Sequence, residues 1–183
     1  MNSKQLADSI TLGRAAGALG LVGWGMAHGA ESLPAAAVFM VANWTGDILD
    51  GALARRSPRA RRTWIGDHDL EVDMWVAGCL LAYLAVTGLA NARLAAGYVV
   101  AWAVLLAASG WPRALGMLCQ APIYGGLFVI TVGRAPALAV GMGLWVLIAI
   151  VLTWPRFPQT VVPEFLAGLR AMRVRLTDLR RKV

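Results

Sequence analysis

Acidic side chains are scarce in this 183-residue chain: 10 Asp and Glu stand against 17 Lys and Arg, giving a formal net charge of +7, and charged residues make up only 15% of the whole. An average soluble domain is about a quarter charged and about half apolar. Here 58% of residues are hydrophobic and the mean hydropathy is +0.62, which excludes both a disordered chain and an ordinary soluble enzyme. Cysteine is nearly missing as well. Cys79 and Cys119 each sit inside an apolar run, where they read as buried free thiols rather than a disulfide or a metal pair. No basic face with interleaved aromatics lies outside the apolar runs, so the positive charge does not point to nucleic acid; in a membrane protein such an excess faces the cytoplasm and its anionic lipids.

What is abundant is long apolar sequence. Six stretches approach the ~20 residues that a spanning helix needs, at 10–27, 33–54, 69–90, 94–109, 114–132 and 135–154. They are rich in Ala, Leu and Gly and lack the period-two alternation of a membrane barrel. The expected fold is an all-α membrane protein of six transmembrane helices in residues 1–155. A basic amphipathic tail follows in 156–183, with Phe165, Leu169, Met172, Leu176, Leu179 and Val183 at helical spacing. With the N-terminus inside, 15 of the 17 Lys and Arg fall on the inner side, and only Arg93 and Arg134 on the outer, which predicts an inner-membrane protein with both termini cytoplasmic.

The few acids are not scattered. Six of the ten lie between Asp47 and Asp73, namely Asp47, Asp50, Asp67, Asp69, Glu71 and Asp73. A carboxylate in a membrane helix costs about 2.5 kcal/mol or more near the centre, so such residues are functional candidates. The second stretch ends in DILDGALAR. At 100° per residue, Asp47, Asp50, Gly51 and Ala54 share one helix face, two carboxylates beside two residues with almost no side chain. Asp47 lies about 12 Å along the axis from Arg55, at headgroup depth. Asp69 and Asp73 are spaced i,i+4 and share a face of the next helix, and the chain reversal brings the two acidic faces to one depth. Divalent metals would relieve the repulsion of four carboxylates. A structural network with Arg55, Arg56, Arg59, Arg61 and Arg62 is the bland alternative. His68, inside the cluster, reads as a polar interface residue, and His28 as an outer-loop residue.

At these residues the sequence resembles the CDP-alcohol phosphotransferase family, whose pattern is D-x2-D-G-x2-A-R, a spacer, then G-x3-D-x3-D. Asp47, Asp50, Gly51, Ala54 and Arg55 match every fixed position of the first half, and Asp69 and Asp73 match the second. The second half departs at its glycine: Ile65 holds that position and Gly66 falls one residue late. The six stretches, the cytoplasmic depth of the acids, and Thr11 and Arg14 near the start of the first stretch are also similar to the family. The resemblance implies a transferase of phospholipid synthesis that moves a substituted phosphate group, phosphatidyl from CDP-diacylglycerol or a related CDP-alcohol, to a small acceptor alcohol with release of CMP. It further implies that Asp47, Asp50 and Asp69 hold two divalent ions, Mg2+ or Mn2+, and that Asp73 is the general base. Gly51, Ala54 and Arg55 would bind the nucleotide and phosphates, and a homodimer is expected. For a phosphorylated acceptor only Arg113 is at hand, since this chain has Gly110-Trp111-Pro112-Arg113 where glycerol phosphate users resemble G-K-x-K-T. Two other classes use intramembrane acids: prenyltransferases, which carry a second Asp-rich motif absent after Asp73, and ion-coupled carriers, whose acids lie near the midplane.

Overall fold

The computed structural model describes residues 3–56, 68–109, 113–155, 157–163 and 165–170. Among these the chain is helical throughout, with no strand. Six long helices lie over the six apolar stretches: α1 (Ser3–His28), α2 (Leu33–Arg56), α3 (Asp69–Val86), α4 (Ala92–Ser109), α5 (Arg113–Arg134) and α6 (Pro136–Leu152). A short 3-10 turn, Gly29–Ser32, links α1 to α2, and a π-helical turn, Phe157–Val161, follows α6.

Helix ends follow local chemistry. α1 starts seven residues before its apolar run, carried by polar sequence in which Lys4 and Asp8 pair across one turn at 3.3 Å. α3 stops at Val86, four residues before its apolar run ends, because Gly88 adopts φ +73. That left-handed position, natural for glycine, lets Gly88 N–H reach the Ala85 carbonyl and Ala90 N–H the Leu84 carbonyl. Pro136 opens α6, where a missing N–H costs nothing.

The packing is uneven. α1 makes its broadest contacts with α2 and α3, while α5 joins α3 to α6. The core between them holds Met40, Leu80, Tyr83, Leu127 and Met142. Close approach is built on small residues: the Phe39 ring covers Gly17, and Leu70 and Met74 lie over Gly116. Residues 165–170 return to the first turn of α5, where Gly168 faces Ala114 so closely that a methyl group would collide with it. The rest of the tail, residues 171–183, lies outside the described residues.

The outer surface is apolar. Leu12, Leu19, Leu94, Val100, Val104, Val129, Leu147 and Val151 are all exposed, a pattern that suits hydrocarbon and not water. α4 and α5 are long and apolar enough to cross a membrane; the number rises to three if α6 is joined to 157–170, which bends away from it by 75°. α1, α2 and α3 carry most of the charged residues of the long helices, Lys4, Asp8, Arg14, Asp47, Asp50, Arg55, Arg56, Asp69, Glu71 and Asp73, and α6 is 17 residues long. The protein is thus, over the described residues, an all-helical membrane protein in which α1 packs on α2 and α3 and α4 presents most of its apolar surface outward.

Candidate functional site: carboxylates gathered on one arginine

The acidic faces of α2 and α3 meet on a cation that the acid-rich segment does not contain. Arg14, in the middle of α1, extends across the groove between the two helices. Its Nη1 lies 3.0 Å from Asp50 Oδ2 and 3.2 Å from Asp47 Oδ1, and its Nη2 donates to Asp73 Oδ1 at 2.6 Å. Nε donates to the Asn43 side-chain oxygen at 3.1 Å, one turn back along α2. The guanidinium fork thus holds three carboxylates and an amide from two helices.

Two features of the sequence allow this reach. Gly46 leaves room for the aliphatic stem: a Cβ there would come within 3.0 Å of Arg14 Cδ. Thr11, one turn before Arg14, donates to Asp50 Oδ2 at 2.9 Å, so that one oxygen takes both a hydroxyl and a guanidinium. Asp50 and Arg14 are deeply buried, each with side-chain exposure of 6%, while Asp73 is 24% and Asp47 45% exposed. The cluster therefore opens toward Asp47 and is closed behind Asp50. Tyr124 of α5 borders it and feels the charges of Asp73, Arg14 and Asp47. Its ring meets Trp44 edge-on at 5.9 Å.

The structure thus brings together Asp47, Asp50 and Asp73 of the sequence-derived set. Asp69 opens α3 one turn before Asp73, its side chain outside the described residues. The loop arginines Arg59, Arg61 and Arg62 and the Ile65–Gly66 departure lie outside them too. Gly51 and Arg55 are neighbours: a Cβ on Gly51 would stand 3.1 Å from Arg55 Nη1, so the Arg55 guanidinium, not open space, lies against that glycine. Ala54 is half-buried on the same helix end. Arg113 begins α5 and is exposed. His68 precedes α3 with no side-chain cap bond, and His28 stacks on Trp24 at 3.9 Å. Both cysteines are free thiols.

The sequence analysis named Arg14 and Thr11 only as points of similarity to the family and looked for the acids' cationic partners in the adjacent arginines 55–62. The signal was available: a lone arginine within an apolar helix requires a partner, and Thr11 one turn away doubled the hint.

Among the described residues no group of three or more His, Cys, Asp and Glu is arranged as a metal site, the guanidinium standing among the carboxylates. The chemistry of the donors nevertheless suits a hard divalent ion, since Asp47, Asp50 and Asp73 offer oxygen alone. No family model matches the chain, and neither a curated protein nor a solved structure matches it.

Proposed function

We propose that this chain is a six-span inner-membrane CDP-alcohol phosphotransferase, with both termini cytoplasmic, that transfers a phosphatidyl or related group from its CDP ester to a small alcohol. The observation that carries this reading is the meeting of Asp47 and Asp50 of α2 with Asp73 of α3 on Arg14, in the spacing of the motif 47–73. Three carboxylates from two helices around one buried guanidinium gather oxygen donors of the kind that a hard divalent ion takes. Asp47, Asp50 and Asp69 would hold the divalent ions. When bound, Mg2+ or Mn2+ would neutralise the pyrophosphate and its leaving oxygen.

The chain's own residues do the rest. Arg14 fixes the carboxylates of two helices at one place through charge-assisted bonds. Asp73, partly exposed while Asp50 is sealed, would accept a proton from an entering hydroxyl. As that proton moves to Asp73, the acceptor oxygen bonds to the phosphorus bearing the lipid alcohol, and the bond from that phosphorus to the bridging oxygen breaks, expelling CMP. Arg55, lying over Gly51, would meet a phosphate at the cytoplasmic end of α2.

The wiring of Asp47, Asp50 and Asp73 to a resident cation also favours a second reading, an ion-coupled carrier whose acids exchange Arg14 for a transported cation. One experiment separates the two. Purified protein is incubated with CDP-diacylglycerol and Mg2+ or Mn2+ against a panel of acceptors: glycerol 3-phosphate, inositol phosphate and serine. Release of CMP that depends on an acceptor and stops in excess chelator supports the transferase. No CMP with any acceptor, together with cation flux in liposomes, supports the carrier.

A further inference from the structure

Thr45, Thr87, Thr131 and Thr153 each donate their hydroxyl to the carbonyl four residues back, a bond that satisfies a polar side chain within its own helix. Thr11 has such a carbonyl within reach too, Ala7 O at 3.1 Å, but it also lies 2.9 Å from Asp50 Oδ2, on another helix. The hydroxyl has one proton for these two acceptors. Charge decides between them: a bond to an ionised oxygen is about twice as strong as a neutral one, and the Ala7 carbonyl already takes the backbone N–H bond of α1. Thr11 is thus placed to serve Asp50, where the other threonines serve only their own helix.

What Asp50 gains is a fixed orientation. The last torsion of an aspartate is soft and roughly two-fold. Arg14 alone does not set it, because the Nη1 that lies 3.0 Å from Asp50 also lies 3.2 Å from Asp47. Thr11 and Arg14 stand one turn apart on α1 and reach the same oxygen from two positions. Two donors on Oδ2 fix that atom and, through it, the plane of the carboxylate. Asp50 is buried, so the protein itself must supply them.

We propose that Thr11 is a positioning residue for the metal site: its hydroxyl aims the Asp50 carboxylate and so sets how tightly Asp47 and Asp50 hold a divalent ion, without touching the ion or the substrate. Groups that orient the ligands of a metal are worth about 10–100-fold in its affinity, which makes the effect measurable. The proposal rests on the divalent site of the transferase reading, but not on turnover.

The test titrates the detergent-purified full chain with Mn2+ alone and reads the free ion by electron paramagnetic resonance. Thr11→Val keeps the branched shape and loses the hydroxyl, and it binds Mn2+ about tenfold more weakly than wild type. Thr11→Ser, which keeps the hydroxyl and loses a methyl group, restores the wild-type affinity. Thr45→Val makes the same exchange of hydroxyl for methyl two residues before Asp47, where the hydroxyl donates to the Val41 carbonyl, and leaves the affinity unchanged. A merely structural role would move the melting temperature without this pattern of loss and rescue. Wild-type affinity in Thr11→Val overturns the inference, as does an equal loss in Thr45→Val or a Thr11→Ser protein as weak as Thr11→Val. Should Thr11→Val not fold, Thr11→Ala takes its place; failure of both to fold beside a folded Thr11→Ser makes Thr11 a structural residue and equally overturns the inference. Mn2+ binding by a wild type that releases no CMP from CDP-diacylglycerol with any acceptor defeats the transferase reading, while the same titrations still decide the role of Thr11. A wild type that binds no Mn2+ defeats both.

Discussion

The helices α1, α2 and α3 are joined twice along their packed length, and the two joints are made of different chemistry. At one end Arg14 ties α1 to Asp47, Asp50 and Asp73. About 15 Å along α3, at 1.5 Å per residue, Tyr83 passes the face of α1 at Gly25 and shares a neutral hydrogen bond of 2.9 Å with Ser32, at the entry to α2. The neutral joint is completely sealed: Tyr83 has no exposed surface, and the Thr87 hydroxyl is satisfied by the Tyr83 carbonyl at 2.8 Å. It shows that this chain closes the same three helices without any charge. The charged joint is therefore not a requirement of packing. A buried ion cluster often contributes no more to stability than apolar residues of the same size, so packing alone does not account for its presence at one end only.

The comparison is broken most forcefully at Arg14. Replacing it by Met leaves three acids without their shared cation, with Asp50 sealed from solvent. The expected loss is about 3–5 kcal/mol, the cost of removing one partner of a buried pair, seen as a large drop in melting temperature in detergent. Arg14→Lys does not restore it, because a point charge cannot serve Asn43, Asp50 and Asp73 at once. The response to metal sharpens the reading. If the carboxylates take Mn2+, millimolar Mn2+ raises the melting temperature of Arg14→Met by more than that of wild type. An equal or smaller shift means that the acids serve the arginine alone.

Next in size is Asp73→Asn. The amide preserves the shape and can still pack beside Arg14, so stability changes little, while turnover falls by roughly two to four orders of magnitude, the usual worth of a general base. CMP release at saturating CDP-diacylglycerol measures it, alongside a binding titration that stays near the wild-type value. Asp50→Asn behaves differently: metal and nucleotide binding weaken together. Normal turnover by Asp73→Asn moves the base to another residue.

How far each joint was legible in the sequence differs for a physical reason. The six helices could be read because each buries or exposes apolar side chains over a contiguous run, and contiguity is visible in one dimension. The ends were less legible: α1 extends through polar residues held by the Lys4–Asp8 pair, and α3 stops early at Gly88. The acids of the site could be seen as a cluster on two helix faces. Their cation could not be found by looking nearby, since Arg14 bonds to residues 29, 36 and 59 positions away. The neutral joint left still less trace, because Gly25, Ser32 and Tyr83 are ordinary residues whose meeting depends on the register of three helices.

Glycine substitutions test the two joints on equal terms. A Cβ at Gly46 would meet Arg14 Cδ at 3.0 Å, and one at Gly25 would meet the Tyr83 ring at 2.5 Å. Crowding of this kind costs about 1–3 kcal/mol, partly offset by the better helix propensity of alanine. Gly25→Ala is expected to be the less stable of the two, since the fully buried tyrosine ring cannot yield as the stem of an arginine can. The order reverses for activity: Gly46→Ala displaces the guanidinium and lowers CMP release several-fold, whereas Gly25→Ala retains the wild-type rate below its melting temperature.

The smallest effect is expected from Tyr83→Phe, and it isolates the neutral joint. The substitution removes only the hydroxyl, leaving the ring against Gly25 and the Ser32 hydroxyl still donating to the Gly29 carbonyl. Ser32 therefore keeps a partner, and no buried donor is orphaned. The loss is that of one neutral hydrogen bond, about 1 kcal/mol, detectable as a modest fall in melting temperature. Because the ring maintains the helix spacing some 15 Å from the acids, turnover and metal dependence should match wild type at any temperature where the protein is folded. A Tyr83→Phe protein that loses activity while remaining folded would show that the two joints are coupled through α3, and that the charged end depends on the neutral one for its geometry.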